Sequence, residues 1–486
     1  MSKLSTDNAL KKRKFTIKGP IPSTTESQPF NAAHHQYVPI DLKARGYIEE
    51  EFIISGLANV YEWFHSGKNP ATIRTEDAFY TTRILVRRPL NPVQFSGNVI
   101  VEVFNWARGY DTPWGGWGES YDYFLSHRDI WVGITIRPAA IEGLKKFNPV
   151  RYGELSMANP LPPEQRCQNP GCYPTPSSPE SEDGLDWDII TQVGMLVKSK
   201  LAGNPLAGYK VEYVYATGAT GGDLSAYVSA IHPLATAENG RPVFDGYVIK
   251  CTGSPGCVNQ CEPRIPPQDP RCKCYVDVPV IRVVTQGDVL GKGFHPDWSW
   301  VYRQPDSDHF GGEYRLYEVA GSCIGAIYPR LSGPCEAEVM AAGGKWEGPF
   351  VVSENEFPLR YILNGAFANI DTWVRRRITP PRAERLETSG VYPDVQFILD
   401  EFRNVKGGLR TPYVDVPVAT YSWDGKIIPF ERLLLLELYP SHAEYFRRVS
   451  EHSDELVRRR WISETDGMAI KQRAAMKDFS SEGTVG

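Results

Sequence analysis

A strand at residues 211–217 (VEYVYAT) runs into the turn Gly218-Ala219-Thr220-Gly221-Gly222-Asp223, and a helix of small residues follows to Ile231. A glycine-bracketed turn between a strand and a helix holds a nucleophile exposed at its crest. A serine in the middle position would attack an ester or amide carbonyl. This chain has Thr220 there. The turn strains the backbone, and a β-branched residue tolerates that less well than serine. Thr220 is therefore either an unusual nucleophile or a turn residue whose hydroxyl caps the next helix. Asp223, in the first turn of that helix, either complements the helix dipole or acts as an acid or base in a desolvated pocket. Cys323 is another conceivable nucleophile. No partner base is visible for it in the sequence, and a buried cysteine is usually inert packing.

These residues need elements to position them. Short apolar strands are expected at 99–104 and 130–136, with a helix between them that ends at Leu125-Ser126-His127-Arg128-Asp129. Residues 186–200 have helical spacing, and 278–284 and 314–319 read as further strands. Strands alternating with helices predict an α/β fold, a parallel sheet with helices on both faces. Two insertions break the rhythm, at about 140–185 and 330–415, and insertions of this length commonly cover a site as lids. The segment 433–460 reads as helical with a break at Tyr439-Pro440. The expected organisation is an arm over residues 1–40 and one domain over 41–486.

The chain has 486 residues, 41% hydrophobic, 23% charged and 12% aromatic, with a net charge of −5. That balance suits a globular protein with a large core and gives no reason to expect nucleic acid or an anionic membrane as partner. No apolar run reaches the roughly 20 residues needed to span a bilayer. The first residues are polar and basic with no apolar stretch behind them, so a cytoplasmic setting is expected. Nine cysteines are unevenly spread, and Cys257, Cys261, Cys272 and Cys274 match the paired spacing of a zinc site only loosely. Ordinary thiols or an adventitious disulfide are expected, with neither metal nor cofactor.

Several motifs, in order, resemble the "α/β hydrolase domain" proteins, a group of large esterase-like proteins. They are residues 46–52 (GYIEEEF), 101–105 (VEVFN), 244–247 (FDGY), 278–283 (VPVIRV), 303–308 (RQPDSD), 317–321 (YEVAG), 412–417 (PYVDVP) and 439–442 (YPSH). The resemblance implies an α/β-hydrolase fold, a mostly parallel central sheet flanked by helices, with lid insertions. The family's turn resembles G-x-S-Q-[S/T]-G-G. Either the Ser-Gln pair is deleted here, or Thr220 replaces the serine without a gap. A deletion alters the turn that supplies one oxyanion N–H, and losing such a donor costs about 10²–10³ in rate. Asp288, after the strand at 278–284, matches the acid of the triad; the alternative is a loop carboxylate capping a backbone N–H. The family's E-V-A-G-x-x-H is here Glu318-Val319-Ala320-Gly321-Ser322-Cys323-Ile324, so Ile324 stands where the base should be.

Isoleucine cannot accept a proton, and a positioned base is worth about 10²–10⁴ in rate. His295 and His309 are the remaining candidates for a base, while His232 and His442 read as structural. The loop carrying Asn105, Trp106, Tyr110, Trp114 and Trp117 normally supplies the second oxyanion donor. With Cys323 and Ile324 it would line a pocket for a hydrophobic small molecule. The expectation is a non-hydrolytic enzyme of cyclase, isomerase or lyase type, with Asp288, Thr220 and Asp223 as its polar groups. The alternatives are a hydrolase using Thr220 with His295 or His309, and a non-catalytic binding protein.

Overall fold

The computed structural model describes residues 6–63, 71–168, 178–219, 221–236, 240–250, 257–262, 265, 269–290, 303–323, 331–346, 357–390 and 394–477. The chain divides into two compact units, where the sequence pattern suggests a single domain over 41–486. Unit 1 comprises Met1–Val280, His309–Glu313 and Pro329–Gly348; unit 2 comprises Ile281–Asp308, Tyr314–Tyr328 and Pro349–Gly486.

Unit 1 is built on a sheet whose strands lie in the order β1 (Thr16–Lys18), β2 (Tyr47–Glu62), β3 (Thr72–Pro89), β5 (Ile130–Ile134), β4 (Asn98–Val103), β6 (Tyr213–Gly218) and β7 (Gly246–Lys250). The pairs from β1 to β5 are antiparallel, and β5, β4, β6 and β7 run parallel. Strand β5 (IWVGI) is buried along its whole length, as expected of a strand covered on both faces. Helices α2 (Trp117–His127), α5 (Asp186–Leu196) and α6 (Gly221–Ala226) are the connections around these parallel strands, and α6 continues as a π-helical stretch, Tyr227–Ile231. All eleven residues of α5 are buried.

The N-terminal arm is strapped down. It contributes α1 (Thr6–Lys12) and β1, and Phe30, Ala32 and Ala33 enter the core. The first part of the earlier insertion also packs inward, as α3 (Pro138–Phe147) and α4 (Pro149–Tyr152), with Tyr152, Leu155 and Met157 buried.

Unit 2 contains β8 (Val280–Thr285, whose first residue belongs to unit 1) and its neighbour β9 (Tyr314–Val319), with α7 (Gln286–Leu290) directly after β8. The remainder is largely helical: Leu359–Arg376, Arg432–Leu438, His442–Arg458 and Glu464–Ala475. The break at Tyr439-Pro440 is real. Ser441 then caps the next helix by accepting the Glu444 N–H at 3.2 Å. No helix among the described residues is long and apolar enough to cross a membrane.

Candidate functional site

The parallel strands of unit 1 end in register: Val103 pairs with Gly218, and Gly218 with Ile249. Ligands in such sheets bind beyond the carboxyl ends of the strands. Just past those ends lie Asn105, the Ala219 turn and Lys250. The strand–turn–helix expected from the sequence is present, since β6 stops at Gly218 and α6 begins at Gly221. Asp223 falls in the first turn of α6. Thr220, His295 and Ile324 lie outside the described residues, as does the side chain of Asp223.

The loop after β4 sits directly on this turn. A Cβ at Gly115 would lie 2.4 Å from the Gly218 carbonyl carbon and 2.7 Å from the Ala219 nitrogen. Only a residue without a side chain allows that approach. Glu102, inside β4, holds the loop in place. Its Oε1 accepts the N–H groups of Gly115 and Gly116 at 2.8 Å, and its Oε2 accepts Trp117 N–H at 2.7 Å and the Trp131 indole at 2.8 Å. Burial raises the Glu102 carboxyl above its ordinary range, and these N–H groups pull it back down.

At its base the loop closes on itself, with Asn105 and Thr112 exchanging backbone hydrogen bonds at 2.9 Å and Asn105 Oδ1 accepting Ala107 N–H at 3.0 Å. Asp111 ties it sideways to Arg83 at 2.9 Å. Lys250, at the end of β7, donates to the Trp114 carbonyl at 3.1 Å and to Glu119 Oε1 at 2.5 Å. Both partners of this ion pair are buried, and Glu119 Oε2 and the strand hydroxyl Thr217 Oγ1 have no hydrogen-bond partner among the described residues.

The aromatic residues of the loop are placed by this frame. Trp117 is fully buried, with the Arg87 guanidinium 4.1 Å from its ring centre and Trp131 at 5.2 Å. Trp106 packs near Arg137, and Tyr110 near Phe30. Trp114 is half-buried, with Lys250 and Arg108 each just under 6 Å from its ring. The loop is therefore anchored by these contacts.

In unit 2 the structure brings together the loops after β8 and β9. Gln286 Oε1 accepts Gly321 N–H at 2.6 Å, and Gln286 N–H donates to the Ser322 carbonyl at 3.3 Å. Asp288 is buried, and its Oδ2 accepts both the N–H of Thr285 at 2.7 Å and its hydroxyl at 2.8 Å. Thr285 Oγ1 in turn accepts the Asp288 N–H at 3.3 Å. That is a capping box, the pattern T-x-x-D at a helix start. Cys323 is buried behind Ser322, whose hydroxyl donates to the Val319 carbonyl at 2.6 Å. His309 is exposed, in a turn that leads into the amino end of β9, whereas Gly321 to Cys323 follow its carboxyl end.

Residues 17–472 match the family described as alpha/beta hydrolase domain. The chain belongs to that family. Among solved structures, this α/β hydrolase is similar to esterase Est22, at 12% identity over 61% of this chain and 80% of that one, with a TM-score of 0.30. It is also similar to poly(aspartic acid) hydrolase-1 from Sphingomonas sp. KT-1, at 11% identity, 49% and 86% coverage and a TM-score of 0.26. Esterase B from Lactobacillus rhamnosis follows at 11% identity, 51% and 70% coverage and a TM-score of 0.23. No curated protein matches the chain.

Sequence reasoning missed Glu102, Glu119 and Lys250. The available signal was a charge inside an otherwise apolar strand, in VIVEV and in YVIK. A cleft of about 210 Å³ lies elsewhere in this α/β hydrolase, between α1 and α5, and none of the residues singled out in the sequence lines it. Its floor is Asp188, which accepts Asn59 N–H at 2.8 Å and the Tyr61 hydroxyl at 2.7 Å. His232 bonds Tyr247 at 2.7 Å and Asp277 at 2.6 Å, and His442 bonds the Ala474 carbonyl at 3.0 Å, so both are tied into the frame.

Proposed function

We propose that this α/β hydrolase family member keeps the scaffold and its turn but performs chemistry other than serine-type acyl transfer. Its substrate would be a hydrophobic small molecule, and its reaction a cyclisation, isomerisation or elimination. The observation that carries the reading is Ile324, which the resemblance puts in the place of the general-base histidine. With Thr220 in the turn and an isoleucine in the base's position of the motif, a hydroxyl nucleophile would lack the base it needs near neutral pH. The acid position supports the same reading, since Asp288 turns one oxygen to its own capping box. Thr220, Asp223 and Asp288 are the polar groups proposed to act on the substrate. Asn105, Trp106, Tyr110, Trp114, Trp117, Cys323 and Ile324 are proposed to shape its site. A pocket that fixes a reactive conformer contributes several kcal/mol through orientation alone.

The disulfide at Cys257 does not suit the cytoplasmic setting expected from the sequence. The test is intact-protein mass after a broad fluorophosphonate probe, together with turnover of a short-chain chromogenic ester. The expected result is no adduct and no turnover. A single adduct on Thr220, absent in Thr220→Ala and accompanied by ester turnover, would overturn this reading in favour of hydrolysis with His295 or His309 as base.

A further inference from the structure

Unit 2 carries an apolar surface that the proposed reaction does not use. The helix Arg432–Leu438 (RLLLLEL) is a run of leucines, of which only Leu435 is buried. Leu434 and Leu438 are partly covered, whereas Leu433 is 79% and Leu436 44% exposed. The exposed residues of this helix are Arg432, Leu433, Leu436 and Glu437. At the helical period they form one face, in two rows of residues four apart. The two leucines hold the middle of that face. The two charges, of opposite sign, stand at its two ends.

The antiparallel hairpin of Ala419–Tyr421 and Ile427–Pro429 leads straight into this helix and extends the surface. Ile428 is 56% exposed, and Pro429 is exposed beside it. The junction is fixed: Phe430 N–H donates to the Val418 carbonyl at 3.0 Å, and the Phe430 ring centre lies 5.7 Å from that of Phe402. Asn404 sews the hairpin down, donating from Nδ2 to the Ala419 carbonyl at 3.2 Å and accepting Tyr421 N–H at 2.8 Å. A singly exposed leucine is ordinary, but apolar side chains exposed together and rimmed by charge mark a contact site.

We propose that this face is a homodimer interface, on which a second copy of the chain packs across a two-fold axis, helix against antiparallel helix. The charges select this occupant. Across a two-fold axis a patch meets itself, so it has to be its own complement. Antiparallel pairing brings Arg432 of each copy level with Glu437 of the other, with the leucines of both copies between the two ion pairs. Parallel pairing would set arginine beside arginine and glutamate beside glutamate. An anionic membrane or a nucleic acid would leave Glu437 facing like charge.

The test is sedimentation equilibrium of the full chain over a wide range of protein concentration. The expected result is a reversible monomer–dimer equilibrium. Leu433→Glu puts a carboxylate into the middle of the interface from both copies and should raise the dimer Kd at least about tenfold. Arg432→Glu and Glu437→Arg set like charges against each other and should each weaken the dimer. Combining them reverses both charges and should restore association to near the wild-type Kd, which a merely structural role for either residue would not do. All these positions are exposed, and thermal melts check that each variant is folded. A wild-type chain that stays monomeric throughout, or a dimer that Leu433→Glu leaves unchanged, would overturn the proposal. A double variant no tighter than the single ones would overturn the antiparallel pairing. A monomer that floats with phosphatidylcholine vesicles, and no longer does so as Leu433→Glu, would overturn the proposal in favour of a lipid surface.

Discussion

Two carboxylates missed in the sequence decide how the loop after β4 is held. Glu102 accepts four N–H donors from one buried position. Replacing it by alanine leaves three backbone donors and an indole unpaired. Orphaned buried donors cost about 1–3 kcal/mol each, so with four of them Glu102→Ala is expected to lower unfolding stability by at least about 4 kcal/mol. Urea denaturation checks this, and a loss below about 1 kcal/mol would mean that water replaces the carboxylate. Glu119 differs, because among the described residues its charge is answered by a single cation, Lys250. Removing one partner of a buried pair leaves the other charged and desolvated, at about 3–5 kcal/mol. Lys250→Met alone is expected to cost that much, and Lys250→Met combined with Glu119→Leu clearly less. If the double variant is as unstable as the sum of the single ones, the pair does not act as a unit.

At the scale of elements, the contact between the loop and the turn is a backbone-on-backbone approach. Gly115 cannot accept a Cβ without moving away from Gly218 and Ala219. Gly115→Ala is therefore expected to cost about 1–3 kcal/mol, the usual range for overpacking. It should also speed amide exchange in the turn after β6, and unchanged exchange there would mean that the loop moves without disturbing the turn. This contact also marks what was legible in the sequence. The strand, the turn and the helix after it were readable because each is a local pattern, and β9 was placed to the residue. The long β2–β3 hairpin was not. Its first strand begins YIEEEF, and Glu49 and Glu51 look like surface charges. In the structure Glu51 is buried and Glu49 partly so, because Arg83 and Arg87 on β3 answer them at 2.8 and 2.6 Å. A partner more than thirty residues away leaves no trace in a local periodicity. The same holds for Glu102, whose donors lie thirteen to twenty-nine residues on. Asp288 was read either as the acid of a triad or as a carboxylate capping a backbone N–H, and its bonds with Thr285 are of the second kind, in the T-x-x-D pattern of a helix start.

At the scale of the whole chain, carboxylates fall into two groups that act on opposite sides of neutrality. Asp277 and Asp415 are held below the ordinary range, Asp277 chiefly by its hydrogen bond to His232, and Asp415 by bonds to His452 and Arg410 that outweigh its burial. Their contribution is present above the unfolded carboxylate range and is lost as pH falls through their folded values. Glu338 behaves in the opposite way. It is buried in unit 1, where both its oxygens accept the Asn31 N–H at 3.2 Å. Burial first, then the nearby Glu49, pushes its carboxyl up to about 8, against the Asn31 N–H and Arg83. The folded chain therefore holds a proton that the unfolded chain releases near the ordinary value of 4.5. Glu338 contributes stability that is complete below that value and is lost as pH rises through about 8. Each tenfold difference in proton affinity between the folded and unfolded chain is worth about 1.4 kcal/mol, so the loss amounts to a few kcal/mol. Glu338→Gln keeps an acceptor for Asn31 and cannot ionise. Its stability should match wild type near pH 5 and exceed it by a few kcal/mol near pH 9, measured by denaturant unfolding at both. The arm carrying Phe30 to Ala33 should also exchange its amides faster at pH 9 in wild type than in the variant. Parallel stability profiles across that range would mean that Glu338 does not titrate between them.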